Sequence, residues 1–138
     1  MNSFHLKIVS PDGMFFDGEV MRVSLRTIVG DIAILAGHIP YVTAIGTGEC
    51  RVFVDNTENS RRAACIGGFI NVTKDLVLIA ATTFEWAEEI DFDRANNAKT
   101  RAESEIASGS TDGHSLELAK IKLARANVRL KVIENNKQ

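Results

Sequence analysis

The chain has 138 residues, 25% of them charged and 45% hydrophobic, with a formal net charge of −2. That length supports one real core and at most a small appendage, and the composition is ordinary for a globular protein. The charge balance excludes a nucleic-acid binder that relies on an overall positive field, and no apolar run approaches the roughly 20 residues a membrane-spanning helix needs. The start, Met1-Asn2-Ser3-Phe4, has no basic region followed by an apolar one, so the sequence predicts a protein that works in a reducing compartment where it is made. Cys50 and Cys65 are then expected as small, half-buried thiols. The two cysteines and His5, His38 and His114 lack ligand spacing, so no metal site is expected.

Phe4, Leu6 and Ile8 alternate with more polar neighbours, predicting an opening strand with one buried face. Pro11-Asp12-Gly13 is a turn, and Asp17-Gly18 a second one after Phe15-Phe16. Met21, Val23 and Leu25 alternate with Arg22, Ser24 and Arg26. Ile32 to Leu35, Tyr41 to Ile45, and Val52 with Val54 read as further strands between glycine turns. Arg61 to Ile66 returns from the polar loop Asp55 to Ser60 as a hairpin partner. Gly67-Gly68 breaks that strand, and Phe69 to Val72 continues it. Leu76 to Ala81 is apolar on both faces, so both are expected to be covered. Many short strands with turns every 8–12 residues or so indicate an antiparallel sandwich or flattened barrel.

Between Phe84 and Ala95 the apolar period changes from two to between three and four, the signatures of strand and helix. Glu85, Glu88, Glu89, Asp91 and Asp93 crowd this junction beside Arg94. Ala95, Ala98, Ala102 and Ile106 then share one helical face, which lets another helix approach closely. Ser108 to Gly113 is a loop, and Asp112 and Ser115 are candidate caps for the next helix. On that helix Leu116, Ala119, Leu123, Ala126, Leu130 and Ile133 form a packing seam. Leu118, Ile121, Val128 and Val132 form a second apolar row. One small partner helix cannot cover both, so another surface is expected: the sandwich, another subunit, or each in turn.

Six pieces, in this order, carry a resemblance that runs over essentially the whole chain. They are Phe4-His5-Leu6-Lys7-Ile8-Val9-Ser10-Pro11-Asp12-Gly13, Gly30-Asp31-Ile32-Ala33-Ile34-Leu35, Gly37-His38-Ile39-Pro40, Gly67-Gly68-Phe69, Ile90-Asp91-Phe92-Asp93-Arg94-Ala95 and Arg125-Ala126-Asn127-Val128-Arg129-Leu130. Together the sequence resembles the epsilon subunits of bacterial rotary ATP synthases, called delta in mitochondria. Ala33 stands where that family usually has Gly, and Ala36 where it has Pro. The resemblance implies an all-β N-terminal domain, a ten-stranded antiparallel β-sandwich over residues 1–85. A linker at 86–90 and a regulatory helical hairpin at 91–138 follow, with helices over about 91–107 and 115–134.

The same resemblance implies a non-catalytic, peripheral subunit at the cytoplasmic face of the bacterial inner membrane. Its partners would be the gamma subunit, the c-subunit ring, and the alpha and beta subunits, with the membrane met only through the ring. The hairpin would move between a folded state and an extended one that slows ATP hydrolysis. No cofactor is implied beyond a possible regulatory ATP, held by Glu85, Asp91, Arg94, Ala95, Arg125 and Arg129. Paired guanidiniums suit phosphate oxygens, and a carboxylate can accept from adenine or ribose. The plainer reading makes Asp91 a helix N-cap in a surface ion pair. Asp31 and His38 map to contacts with the ring, although turn chemistry explains the former and a satisfied structural histidine the latter. Lys120, Lys122, Arg125, Arg129 and Lys131 would meet an acidic part of the beta subunit, or form a solvated face. Two other classes stay open on the residues alone. One is an enzyme using the Glu85 to Asp93 carboxylates as acid and base. The other is a free-standing nucleotide sensor.

Overall fold

The computed structural model describes residues 2–109 and 113–137. Eight strands come first: β1 (Phe4–Ser10), β2 (Gly13–Val20), β3 (Arg22–Thr27), β4 (Gly30–Leu35), β5 (Tyr41–Ala44), β6 (Thr47–Phe53), β7 (Arg61–Val72) and β8 (Val77–Trp86). A 3-10 turn at Ala87–Glu89 leads into α1 (Phe92–Ala107), and α2 (Gly113–Asn136) follows. Alternation decides which side chains go inside, because successive Cβ atoms of a strand point to opposite faces. Phe4, Leu6 and Ile8 of β1, Val23 and Leu25 of β3, and Cys50 and Val52 of β6 thus enter one shared core.

The hydrogen-bonded order is β2-β1-β8-β7-β6-β3-β4, with β5 attached to β7. β7 and β8 fold this sheet over on itself. The first half of β7 pairs with β6, and the second half, Phe69 to Val72, pairs with β5. Between the halves the core-facing positions change parity, from Ala63 and Cys65 to Ile70 and Val72. β8 changes in step, from Val77, Ile79 and Ala81 to Phe84 and Trp86. Gly67 and Gly68 allow the reversal with φ of +73° and +100°, a region open to glycine but strained for other residues. Gly68 is doubly constrained, since an added Cβ would lie 2.0 Å from the Ala80 carbonyl oxygen. The glycine pair therefore turns the strand over and does not end it. Counting β7 and β8 once in each layer, the eight continuous strands correspond to the expected ten.

Five expectations are corrected. Asp17 and Gly18 do not turn the chain but lie within β2, paired with Lys7 and Leu6. The pairing is antiparallel except between β1 and β8, which run parallel from Leu6↔Val77 to Val9↔Ala80; alternation has the same period in both kinds of ladder and does not reveal direction. Leu78 and Ala80 are half-buried, so β8 is not covered on both sides. Their outer face continues through Phe69, 45% exposed, to Val42, 64% exposed. Cys50 and Cys65 are fully buried, because both occupy core-facing positions of paired strands. Nδ1 of His38 is buried with no hydrogen-bond partner among the described residues. Packing holds that ring instead, edge-on to Phe4 with centroids 5.6 Å apart.

Asp91 caps α1, its carboxylate accepting from the Arg94 N–H at 3.1 Å. Ser115 lies inside α2, which is described from Gly113 onward; Asp112 falls outside the described residues. Ala95 and Ala102 of α1 and Ala119 and Ala126 of α2 are buried, as two small-residue faces packed together require. The second apolar row divides. Val132, fully buried, packs with Ala64 of β7 and Ala87, flanked by Val128 and Ile90. Leu118 and Ile121 remain 42% and 45% exposed. The extra surface that α2 needs is thus the sandwich, over the C-terminal half of the helix only.

Candidate functional site

The end of β8, the start of α1 and the middle of α2 enclose a cleft of about 720 Å³. β8 contributes Glu85, the 3-10 turn Glu89, the α1 cap Asp91, and α1 Asp93, Arg94, Ala95 and Arg101, while Arg129 enters from α2. Nε of Arg129 donates to Oε1 of Glu85. Both side chains are about one-third exposed or less, at 27% and 33%, so this ion pair is screened less than a fully exposed one. Two of the other three carboxylates are also engaged, Asp91 in its cap and Glu89 in accepting from the Trp86 N–H at 3.0 Å, while Asp93 lines the cleft beside them.

A smaller cleft of about 240 Å³ adjoins it, sharing Ala98, Arg101 and Arg129 and adding Thr83, Glu105, Lys122 and Arg125. The alanine face of α1 leaves this gap open, since a larger side chain at Ala98 would fill it. Among the described residues, no carboxylate pairs with Arg94, Arg101 or Arg125. Unpaired guanidiniums around a groove suit a phosphate chain. A pair of free carboxylates for acid and base chemistry is not what the cleft presents.

The nucleotide set anticipated from sequence is therefore divided between two connected hollows. Glu85, Asp91, Arg94, Ala95 and Arg129 line the larger, and Arg125 and Arg129 the smaller. Sequence reasoning missed Arg101 and Glu89. Arg101 stands seven residues after Arg94, two helical turns along the same face, so the signal was there to read.

The basic residues of α2 do not form one row in this state. Lys120 pairs with Glu117 at 3.7 Å, Lys122 and Arg125 face the smaller cleft, Arg129 holds Glu85, and Lys131 lies in a third hollow against β3 and β6. The helix is also tied to the sandwich through Asn135, whose side-chain amide donates to Glu49 at 3.0 Å. The junction is braced from below. The Arg61 guanidinium lies over the Trp86 ring at 3.7 Å and donates to Glu88 at 3.0 Å. The Glu88 carboxyl sits below its ordinary value, chiefly through its own backbone N–H, with burial opposing and Arg61 assisting.

Asp31 and His38 are not brought together. Asp31 begins β4 at the β3–β4 turn and pairs with Arg26 at 3.3 Å. The tip of that turn exposes Ile28 and Val29, at 69% and 80%. Thr27 stiffens it, its hydroxyl donating to the Gly30 carbonyl and accepting from the Val29 N–H. His38 lies past the other end of β4, beside Ser3, His5, Lys74 and Asp75.

Family models cover nearly all of the chain. The ATP synthase delta/epsilon chain beta-sandwich domain matches residues 3–87, and the ATP synthase delta/epsilon chain long alpha-helix domain matches residues 88–134. The ATP synthase epsilon chain of Staphylococcus aureus strain Newman is 44% identical over 138 residues, spanning 97% of this chain and 98% of its own. Among solved structures, a chain of the Euglena gracilis mitochondrial ATP synthase shares the fold with a TM-score of 0.71 at 22% identity, covering 98% of this chain and 79% of that one. A chain of the Tetrahymena thermophila mitochondrial ATP synthase central stalk and c-ring does so at 0.60 and 14% identity, covering 96% and 97%. No helix among the described residues is long and apolar enough to cross a membrane. From the first strand to the last turns of α2, the chain belongs to the delta/epsilon chain family of ATP synthase.

Proposed function

We propose that this chain is a non-catalytic rotor subunit in the central stalk of an F-type ATP synthase, at the cytoplasmic face of a bacterial membrane. Its sandwich joins the gamma subunit to the c ring, and its hairpin restrains ATP hydrolysis by the alpha and beta subunits. The uncovered outer face with Val42 and Phe69 suits gamma, because exposed apolar patches on one sheet mark docking surfaces. The stiff β3–β4 tip, with Ile28, Val29 and Asp31, suits the polar and apolar loops of the ring. His38, past the far end of β4, belongs to a separate contact.

One observation carries the regulatory part: very little holds the hairpin down. Its apolar footing is Val132 against Ala64 and Ala87, supplemented by the Arg129–Glu85 and Asn135–Glu49 contacts. Burying one valine is worth about 2 kcal/mol, and part-exposed ion pairs add about 1 kcal/mol or less. A contact of that size can be exchanged for another. Removing every residue after Glu89 from the assembled enzyme is expected to raise its ATP hydrolysis. Unchanged hydrolysis would defeat the inhibitory role.

The cation-lined clefts under the folded hairpin supply the sensing step. ATP would place its phosphates among Arg94, Arg101, Arg125 and Arg129, and its base or ribose against the carboxylates of the junction. Arg129 would then loosen from Glu85. Calorimetric titration of ATP into the isolated chain tests this. Arg94→Ala and Arg125→Ala should each weaken binding by about tenfold or more, since a hydrogen bond to a charged group contributes roughly 1.5–3 kcal/mol. Equal affinity in all three proteins would remove the site.

A further inference from the structure

The third hollow, about 400 Å³ in volume, lies on the opposite flank of α2 from the nucleotide clefts and shares no residue with them. Two strands and the helix meet there. β3 brings Arg26, β6 brings Gly48 and Arg51, and α2 brings Val128 and Lys131. The position of Arg26 is built into the backbone. A Cβ on Gly48 would lie 2.6 Å from Arg26 Cβ and 3.1 Å from its Cδ, and one on Gly46 would lie 3.7 Å from its Cγ. The arginine stem thus lies across two glycines, and its guanidinium is held against Asp31 at the rim.

Among the described residues, Arg51 has no carboxylate of its own. Its Nε donates to the Ser60 hydroxyl at 3.1 Å, and its guanidinium lies 4.8 Å from the Phe53 ring centre. Burial first, then the nearby Arg62 and Arg22, push its pKa down against the pull of Glu49 and Glu58. Glu49, which also lines the hollow, is already engaged on both oxygens, by Arg62 and Asn135. Lys131 has no ion-pair partner among the described residues. The hollow is thus lined by cations from the sandwich and from the helix, with both local carboxylates occupied. An anion in the hollow can accept from guanidinium and ammonium donors of both the sandwich and the helix.

We infer that Arg26, Arg51 and Lys131 form a second anion site, for a small phosphate or pyrophosphate, which bridges the sandwich to α2 and holds the hairpin down. The space accommodates an inorganic anion, and its walls offer no aromatic face for a base. An anion held by groups of both the sandwich and α2 favours the docked state, so the anion and the folded hairpin stabilise each other. This binding does not depend on the nucleotide clefts.

The test is a titration of the full chain with sodium pyrophosphate and with phosphate, at ionic strength held constant with chloride. Amide NMR shifts at Thr47, Gly48 and Val128 are followed, together with hydrogen exchange over 126–132. Saturable shifts at those amides are expected, with exchange slowed at least threefold. Arg94→Ala should preserve the response, while Arg51→Gln and the exposed substitution Lys131→Gln should each weaken it about tenfold. Shifts that grow without saturating, or an unaltered response in Lys131→Gln, would overturn the inference. A chain that binds ATP normally and fails here loses this second site alone. A chain that passes here and fails to bind ATP loses only the nucleotide cleft.

Discussion

The sandwich and the hairpin are stabilised on different scales. In the sandwich, large side chains from most of the strands are wholly buried in one continuous cluster, among them Leu6, Ile8, Val23, Ile70 and Ile79. The strand ladders satisfy the backbone around them. The hairpin buries alanines between its own helices, and, among the described residues, only one fully enclosed side chain against the sandwich, Val132. The first arrangement specifies a single structure, because losing any part leaves a cavity or an orphaned polar group. The second presents a helix whose apolar, basic and polar contacts are each small. A regulatory element needs that second kind of attachment, and a rotor part that transmits force needs the first.

The sharpest way to break the comparison is Gly68→Ala. With φ at +100° and a carbonyl oxygen 2.0 Å from the new Cβ, it should cost about 3 kcal/mol or more, read as a lowered urea midpoint. A loss under about 1 kcal/mol would mean that the parity change does not need its glycine. Thiol chemistry probes the same interior. Burial pushes Cys65 up to about 12, and Cys50 is also pushed well up, by burial first and then by Cys65. Both thiols should therefore resist a disulfide reagent at pH 8 until the sandwich opens, whether or not the hairpin is docked. Labelling as fast as in urea would contradict this.

Val132→Ala tests the other side. It should weaken docking by about 2 kcal/mol and speed amide exchange over 126–132 at least tenfold, leaving β7 unaffected. Equal acceleration in both regions would make them one cooperative unit. The smallest effect belongs to Glu88. Its folded pKa is depressed, so its contribution is present above the ordinary value of 4.5 and is lost as pH falls through the lower folded value. Glu88→Gln should therefore reduce stability slightly near neutrality and leave it unchanged well below that window. Thermal melts between pH 6 and pH 3 give the comparison, and a difference that persists in acid would assign the effect to packing.

The sequence by itself determined the strands, most turns, the Asp91 cap and the two faces of α2, because alternation, glycine and capping act within a few residues. It also carries enough ordered motifs to indicate the family, whereas Arg101 was missed although its seven-residue spacing from Arg94 is plain in it. Tertiary structure decided what local pattern cannot express. Strand direction between β1 and β8 is set by distant pairing. The glycine pair at Gly67 and Gly68 could end a strand or invert one, and β8 running alongside chose inversion. Two apolar rows on α2 were equally plain in the sequence, yet only Val128 and Val132 met the sandwich, where Ala64 and Ala87 left room for them. The basic residues divide because the helix itself spaces them: at 3.6 residues per turn Lys120 and Lys131 lie on the other side of α2 from Lys122, Arg125 and Arg129.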